Sequence, residues 1–411
     1  MARLFIFLNI LFVLIANTTS LTEHNPKPNA RLKKKPHTFI IPILKDTKSS
    51  LYYTNMTVGH PPLTVNLLGY NSTTYVPILC GSRGCPQPKD ECFTTTCYGP
   101  FGPACRNDSC ITADIKSYLA DTSQLNDLLK DDVMLGYTSP SAYVAPKLAV
   151  KARIVCITYF DGVIELPYGA NGILGLANSS TSFVNGLVSS YKIPFKVALC
   201  LPSKSGNDYN YSGNAYIGGG PYLLPPNRKD VTGLLVSTPL KREHERITIY
   251  TIDVKSIEVN GKKVASNSNK GPWGPALVGK SIPYTRLYTS IYKAIVKAFS
   301  AKAKKRNAVA PFTNCFSYKS FGGKTLLGKK IPVISLVLGG GAKWDIYGPN
   351  SLVRVNKNVV CLAIEEGYNE VNPIEIGGYQ MEDNLVEFDL ETSKFSVTSS
   401  LLRHNTSCSP R

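Results

Sequence analysis

The residues with the most explicit chemical signature are Gly274-Pro275-Ala276-Leu277-Val278-Gly279-Lys280-Ser281, which satisfy the phosphate-cradling pattern Gly-x4-Gly-Lys-Ser. That pattern works only where a buried strand leads into it and a helix begins at the Lys-Ser pair, so that backbone N–H groups converge on phosphate. Here the polar stretch Ser266 to Pro272 precedes it, and Pro283 follows where a helix would need a donor. Nucleotide binding is therefore not expected. The five histidines are His24, His37, His60, His244 and His404, and they form no His-Glu-x-x-His set; no Gly-x-Ser-x-Gly elbow is present either. Neither a metal nor a cofactor is expected.

Cysteine is the other reactive residue. Six of the eleven, Cys80, Cys85, Cys92, Cys97, Cys105 and Cys110, crowd a stretch rich in Gly, Pro and Thr that cannot form long regular elements. No Cys-x2-Cys pair supports zinc, so a disulfide-stapled insert over 80–110 is the expectation, with the connectivity open. An oxidising compartment fits the amino terminus. Met1-Ala2-Arg3, an apolar run from Leu4 to Ala16 and Thr18-Thr19-Ser20 have the three regions of a secretory signal. The sequons at Asn55, Asn71, Asn107, Asn178, Asn210 and Asn405 point the same way. No other run approaches the roughly 18 apolar residues of a membrane helix.

The formal charge of +18 favours polyanionic partners. No interleaving of basic and aromatic residues indicates nucleic acid, so an acidic cell-wall polysaccharide or an acidic protein is the expected partner class.

These groups must be positioned by a mainly β chain. Ser50 to Gly59 alternates aromatic and β-branched residues before Pro61-Pro62 and predicts hairpin-linked strands. Tyr250 to Lys262 alternates and closes on an Asn260-Gly261 turn. Between Tyr288 and Ala303, Ile291, Ala294, Ile295, Ala298 and Phe299 recur at helical spacing, and Lys302 to Arg306 reads as charge at that helix's carboxyl end. The expected organisation is a signal over 1–20, a flexible basic arm over 21–38, one lobe over 39–235 and a second over 236–411.

Several blocks in order resemble one plant branch of the pepsin-like aspartic proteases. They are Asn171 to Ala177, Asn214 to Tyr222, Thr289 to Ala294, Val359 to Leu362 and Ile376 to Leu390. The branch holds basic 7S globulin, gamma conglutin, extracellular dermal glycoprotein and inhibitors of xylanases and xyloglucan endoglucanases. The resemblance implies a mostly β, bilobal, disulfide-rich pepsin-like fold. It places the first catalytic aspartate at Asn66 and the second near Gly274, and neither segment carries a carboxylate. Aspartic proteolysis needs two carboxylates sharing a proton, and an Asn amide cannot act as the base. Asp121-Thr122-Ser123 and Asp46-Thr47-Lys48 lack the Gly and do not sit after the apolar strand that the catalytic motif requires, and read as solvated loop or turn carboxylates. An inactive protease homologue is implied.

The resemblance further implies bridges Cys200–Cys408 and Cys315–Cys361. Against the family's usual twelve cysteines, about ten residues with one Cys are missing after Gly69-Tyr70, which leaves Cys156 as the candidate free thiol. His404, shortly before the last Cys, resembles the histidine with which xylanase inhibitors enter their target's cleft; Arg403 resembles the arginine of the xyloglucanase inhibitors. The implied function is binding or inhibition of a secreted microbial glycoside hydrolase in the apoplast or cell wall. The alternative is a storage or ligand-binding glycoprotein, which would also admit a vacuolar or seed location.

Overall fold

The computed structural model describes residues 36–58, 63–71, 76–79, 129–138, 147–157, 172–176, 182–206, 212–244, 247–264, 273–279 and 282–410. The Cys-rich insert, the expected signal and almost all of the basic arm lie outside these residues.

The first lobe is a folded antiparallel sheet with two parallel contacts. β1 (Thr38–Lys45) pairs with β2 (Tyr52–Val58), and β2 runs antiparallel to β3 (Leu63–Asn71) from Tyr53↔Leu68 to Val58↔Leu63. Alternation accounts for β1: Phe39, Ile41 and Ile43 share one face and are all but fully buried. β4 (Val76–Leu79) lies parallel to β6 (Lys147–Ile157), which pairs antiparallel with β5 (Leu129–Thr138). β7 (Gly172–Gly175) lies parallel to β3. Helix α1 (Phe183–Tyr191) begins at Ser182, whose hydroxyl accepts the Asn185 N–H at 3.0 Å, and buries Phe183, Val184 and Leu187. β8 (Lys196–Cys200) and β9 (Gly213–Ile217) complete the lobe, and β10 (Leu223–Leu224) pairs with β11 (Lys229–Asp230) near the crossover.

In the second lobe the long β13 (Ile247–Val259) runs antiparallel to β12 (Val236–His244). The Asn260-Gly261 turn forms as expected, both residues at positive φ (51° and 73°), and leads to β14 (Lys262–Lys263). β15 (Gly274–Val278) pairs with β13; β16 (Thr285–Tyr288) runs directly into helix α2 (Thr289–Phe299). The helix buries Ile291, Tyr292, Ile295 and Phe299, the expected face, but ends at Phe299. Its last turn carries Lys297 alone, so Lys302 to Arg306 is not charge at its terminus. That run is drawn into β17 (Lys305–Arg306): the Ser317 N–H donates to the Lys304 carbonyl at 2.8 Å, and the Lys304 N–H donates to Ser320 Oγ at 3.0 Å.

β17, β18 (Cys315–Ser317), β22 (Val359–Leu362) and β21 (Leu352–Arg354) form a side sheet in that order. β19 (Ile334–Leu338) pairs with β20 (Lys343–Ile346), and β23 (Ile364–Gly367) lies parallel to β16. β24 (Ile374–Glu375) lies parallel to β15.

The chain then returns. β25 (Leu385–Asp389) pairs with β8, and β26 (Lys394–Val397) pairs with β12, giving the bridging order β9-β8-β25-β26-β12. One hydrophobic cluster runs from Phe39 to Val397. No helix among the described residues is long and apolar enough to cross a membrane.

Candidate functional site

Each lobe presents a strand paired in parallel with a short apolar strand. In the first, Leu67 and Leu68 of β3 lie opposite Gly172 and Ile173, and Asn71 lies opposite Gly175 after a register shift. In the second, Ala276 and Leu277 of β15 lie opposite Ile374 and Glu375, and the Ile376 N–H donates to the Leu277 carbonyl at 2.9 Å. A pair of strand ends of this kind would hold a two-carboxylate centre. Neither Leu63–Asn71 nor Gly274–Val278 contains Asp or Glu. Asn66 sits inside β3, opposite Asn55 and one residue before the parallel contact. Gly274 opens β15 at φ 92°, opposite Val254, where a Cβ would come within 2.8 Å of Pro373 Cγ. The phosphate-loop-like residues Gly274 to Val278 are thus a strand in a sheet, which removes the N–H cradle their spacing would need.

Between the lobes lies a buried ionic cluster that sequence reasoning did not single out. Lys45 of β1 forms an ion pair with Glu382, just past the one-turn helix Gly378–Met381. The Tyr52 hydroxyl donates to the same carboxylate at 2.6 Å, and Asn350 Nδ2 donates to the Glu382 carbonyl at 2.7 Å. Burial pushes the Glu382 carboxyl up to about 7, although Lys45 and Tyr52 both pull it down. Next to it Gln380 is satisfied at both ends: its oxygen accepts from the Thr285 N–H and hydroxyl, and its Nε2 donates to the Asn350 and Ala363 carbonyls. The only signal for this cluster lay in the block Ile376 to Leu390, where Glu382-Asp383-Asn384 follows an apolar run.

The other candidate is the carboxyl-terminal turn. Leu401–His404 form a 3-10 turn whose Leu401 side chain is buried, while Arg403, His404 and Asn405 are exposed. Several bonds hold it. The Leu401 N–H donates to the Asp383 carbonyl at 2.8 Å, Lys229 Nζ of β11 donates to the His404 carbonyl at 2.7 Å, and Thr406 Oγ1 donates to the Pro225 carbonyl at 2.6 Å. Arg403 lies over the Tyr347 ring, 4.5 Å from its centroid. Beyond the turn Cys408 bonds to Cys200, as the resemblance implied, and Cys315 bonds to Cys361 across β18 and β22. His404 and Arg403 are therefore presented on a fixed loop.

Cys156 lies in β6 opposite Ile78. Asn55 is half-buried inside β2 and Asn71 ends β3, whereas Asn405 faces solvent at φ 56°. Asn107, Asn178, Asn210 and the cysteines from Cys80 to Cys110 lie outside the described residues. Among the described residues no group of His, Cys, Asp and Glu could hold a metal ion. A cleft of about 370 Å³ beside β16 and β23 is lined in part by Arg286, Tyr288 and Glu365, with Arg286 paired to Glu365 at 3.2 Å.

Two lobes bridged by a returning hairpin, each with a parallel strand contact, define the pepsin-like aspartic-protease fold. The solved structure of EDGP superimposes with a TM-score of 0.73 at 27% identity, covering 91% of this chain and 98% of that one. Basic 7S globulin from soybean shares the fold at a TM-score of 0.71 and 22% identity, again covering 91% and 98%. In sequence, residues 41–219 match the family model described as xylanase inhibitor N-terminal, and residues 249–399 match xylanase inhibitor C-terminal. "Probable aspartic proteinase GIP2" of Nicotiana benthamiana is 31% identical, covering 96% of this chain and 94% of its own. Gamma conglutin 1 of Prunus dulcis is 28% identical over 97% and 95%. The chain belongs to this plant family of xylanase-inhibitor-like, pepsin-fold proteins.

Proposed function

We propose that this protein is a secreted, glycosylated, non-proteolytic member of its family that binds and inhibits a microbial glycoside hydrolase through Arg403 and His404. The observation that carries the reading is their exposure on a turn anchored by Leu401, Lys229 and the Cys200–Cys408 bridge. A glycosidase cleft holds two acidic residues flanking the scissile bond. A cation delivered there on a preorganised loop satisfies those groups without ordering a flexible segment on binding. Peptide hydrolysis is not expected, because the strands offered as catalytic carry amides, glycine and aliphatic residues in place of carboxylates.

The test is a panel of microbial xylanases and xyloglucan endoglucanases titrated with the purified protein, before and after deglycosylation. His404→Ala or Arg403→Ala is expected to weaken inhibition by about 30-fold or more, from the roughly 2–5 kcal/mol cost of removing one partner of a buried charged contact. Asn405→Gln is expected to strengthen it, because a glycan beside His404 narrows access to a cleft. No inhibition under any condition would leave the storage or wall-glycoprotein reading, as for relatives named gamma conglutin. Cleavage of a denatured protein at acidic pH, blocked by an aspartic-protease inhibitor, would refute the non-proteolytic assignment.

A further inference from the structure

From Val259 to Trp344 the chain carries sixteen Lys and Arg and not one Asp or Glu, so most of the net charge of +18 resides in one stretch of the sequence. The fold gathers several of these cations. Lys302 and Lys304 leave the end of α2, and Lys305 and Arg306 form β17, opposite Phe316 and Cys315. Lys319 sits on the 3-10 turn Tyr318–Phe321, whose Ser320 accepts the Lys304 N–H. Lys330 folds back so that its Cδ lies 3.7 Å from where a Cβ of Gly322 would be.

All six are exposed, and among the described residues none has an ion-pair partner. Beneath them Phe299, Phe316 and Phe321 pack at centroid distances of 5.8–6.5 Å, and the Cys315–Cys361 bridge staples the sheet. The charges thus stand on a rigid floor instead of on a mobile tail. Like charges gathered this way repel one another, a cost to the free protein that a polyanion relieves.

We propose that this face binds an acidic polysaccharide, a polymer of uronate residues. The chemistry of the face selects that class. Phe316, Tyr318 and Phe321 are buried, so no ring is offered for stacking on a nucleic-acid base. Leu327, 38% exposed, is the one large apolar side chain reaching solvent between Lys302 and Lys330 besides Val309, so the face has no apolar wedge for a bilayer. Five of the six cations are lysines, hydrated point charges suited to a hydrated carboxylate polymer, and less to the bidentate geometry that favours arginine. The face shares no residue with the Arg403–His404 turn, so the protein could be held on a wall polymer while the turn engages an enzyme.

The test uses the full-length protein and polygalacturonate, with binding read from 50 to 200 mM salt. A Lys305→Gln, Arg306→Gln, Lys319→Gln, Lys330→Gln variant is compared with a control of equal net charge, Lys48→Gln, Lys192→Gln, Lys204→Gln, Lys394→Gln. The face variant is expected to lose on the order of tenfold or more in affinity and to show a shallower salt dependence, by analogy with counterion release on other polyanions. The control is expected to stay within about twofold, and the face variant to keep the parent's melting temperature and glycosidase inhibition. Equal losses in face variant and control would overturn the proposal. So would equal binding to fully methyl-esterified pectin, or displacement of polygalacturonate by anionic vesicles or single-stranded DNA at lower concentration.

Discussion

Replacing Cys408 with serine is expected to destabilise the folded chain by about 5 kcal/mol. The bridge spans 208 residues, and in the chain-entropy description a loop of that length costs the unfolded state about 5 kcal/mol of freedom. The Cys315–Cys361 bridge spans only 46 residues and is expected to contribute about 4 kcal/mol by the same relation. The ordering is the sharper part of the expectation, since both bridges lie in the same buried environment type, with all four cysteines essentially inaccessible.

Cys408 also does local work. Its N–H donates to Asp383 Oδ1 at 2.9 Å, and Asp383 in turn supplies the carbonyl that receives Leu401. Loss of the bridge should therefore loosen the turn carrying Arg403 and His404 before the lobes unfold. Denaturant titration gives the stability, and hydrogen exchange at Leu401 and Thr406 reads the local opening. A Cys200→Ser, Cys408→Ser protein that loses less than about 1 kcal/mol, or is less affected than the Cys315→Ser, Cys361→Ser protein, would contradict this account.

The second large effect concerns Glu382. At pH 8, where its carboxylate is ionised, Glu382→Ala leaves Lys45 buried beside the Tyr379 ring with no counter-charge, and a loss of about 3–5 kcal/mol is expected. Lys45→Met combined with Glu382→Leu should recover most of it, because an apolar pair of similar volume avoids both desolvation penalties.

The pH dependence follows from the direction of the shift. Burial raises the Glu382 carboxyl from 4.5 to about 7, with neighbouring Asp383 adding to the rise and Lys45 and Tyr52 opposing it. A folded-state value above the unfolded one means that this group's contribution is fully present below about pH 4.5 and fades as the pH rises through about 7. The melting temperature is thus expected to fall between about pH 4.5 and 7, and Glu382→Gln should flatten that fall. A slope unchanged in the Gln variant would remove Glu382 as its source.

Local features were legible where a local cause acts. Asn260-Gly261 turns the chain because both residues tolerate positive φ, and Ile291, Ile295 and Phe299 fall on the core face of α2 because their spacing matches the helical repeat. The helix end was not legible. Lys302 to Arg306 favours a helix terminus by charge alone, yet Ser317 and Ser320, more than ten residues later, bond the backbone of Lys304, and Lys305–Arg306 form an edge strand. Tertiary hydrogen bonds overrode the local preference. The place of Arg403 and His404 just before the last cysteine is legible in the sequence, whereas their support by Lys229 and Tyr347 is not.

The sequence by itself determined the chemistry available to this protein. It places no Asp or Glu in Leu63–Asn71 or Gly274–Val278, an acid-free basic stretch from Val259 to Trp344, and an Arg-His pair close to its carboxyl end. These are properties of residue type, and no arrangement of the chain alters them. The tertiary structure alone decided what those residues face. Register between strands a hundred residues apart places Asn71 opposite Gly175, the returning hairpin brings Glu382 to Lys45, and the side sheet gathers Lys305, Arg306, Lys319 and Lys330. Such pairings arise from packing and loop closure over long separations, for which neighbouring residues in sequence carry no code.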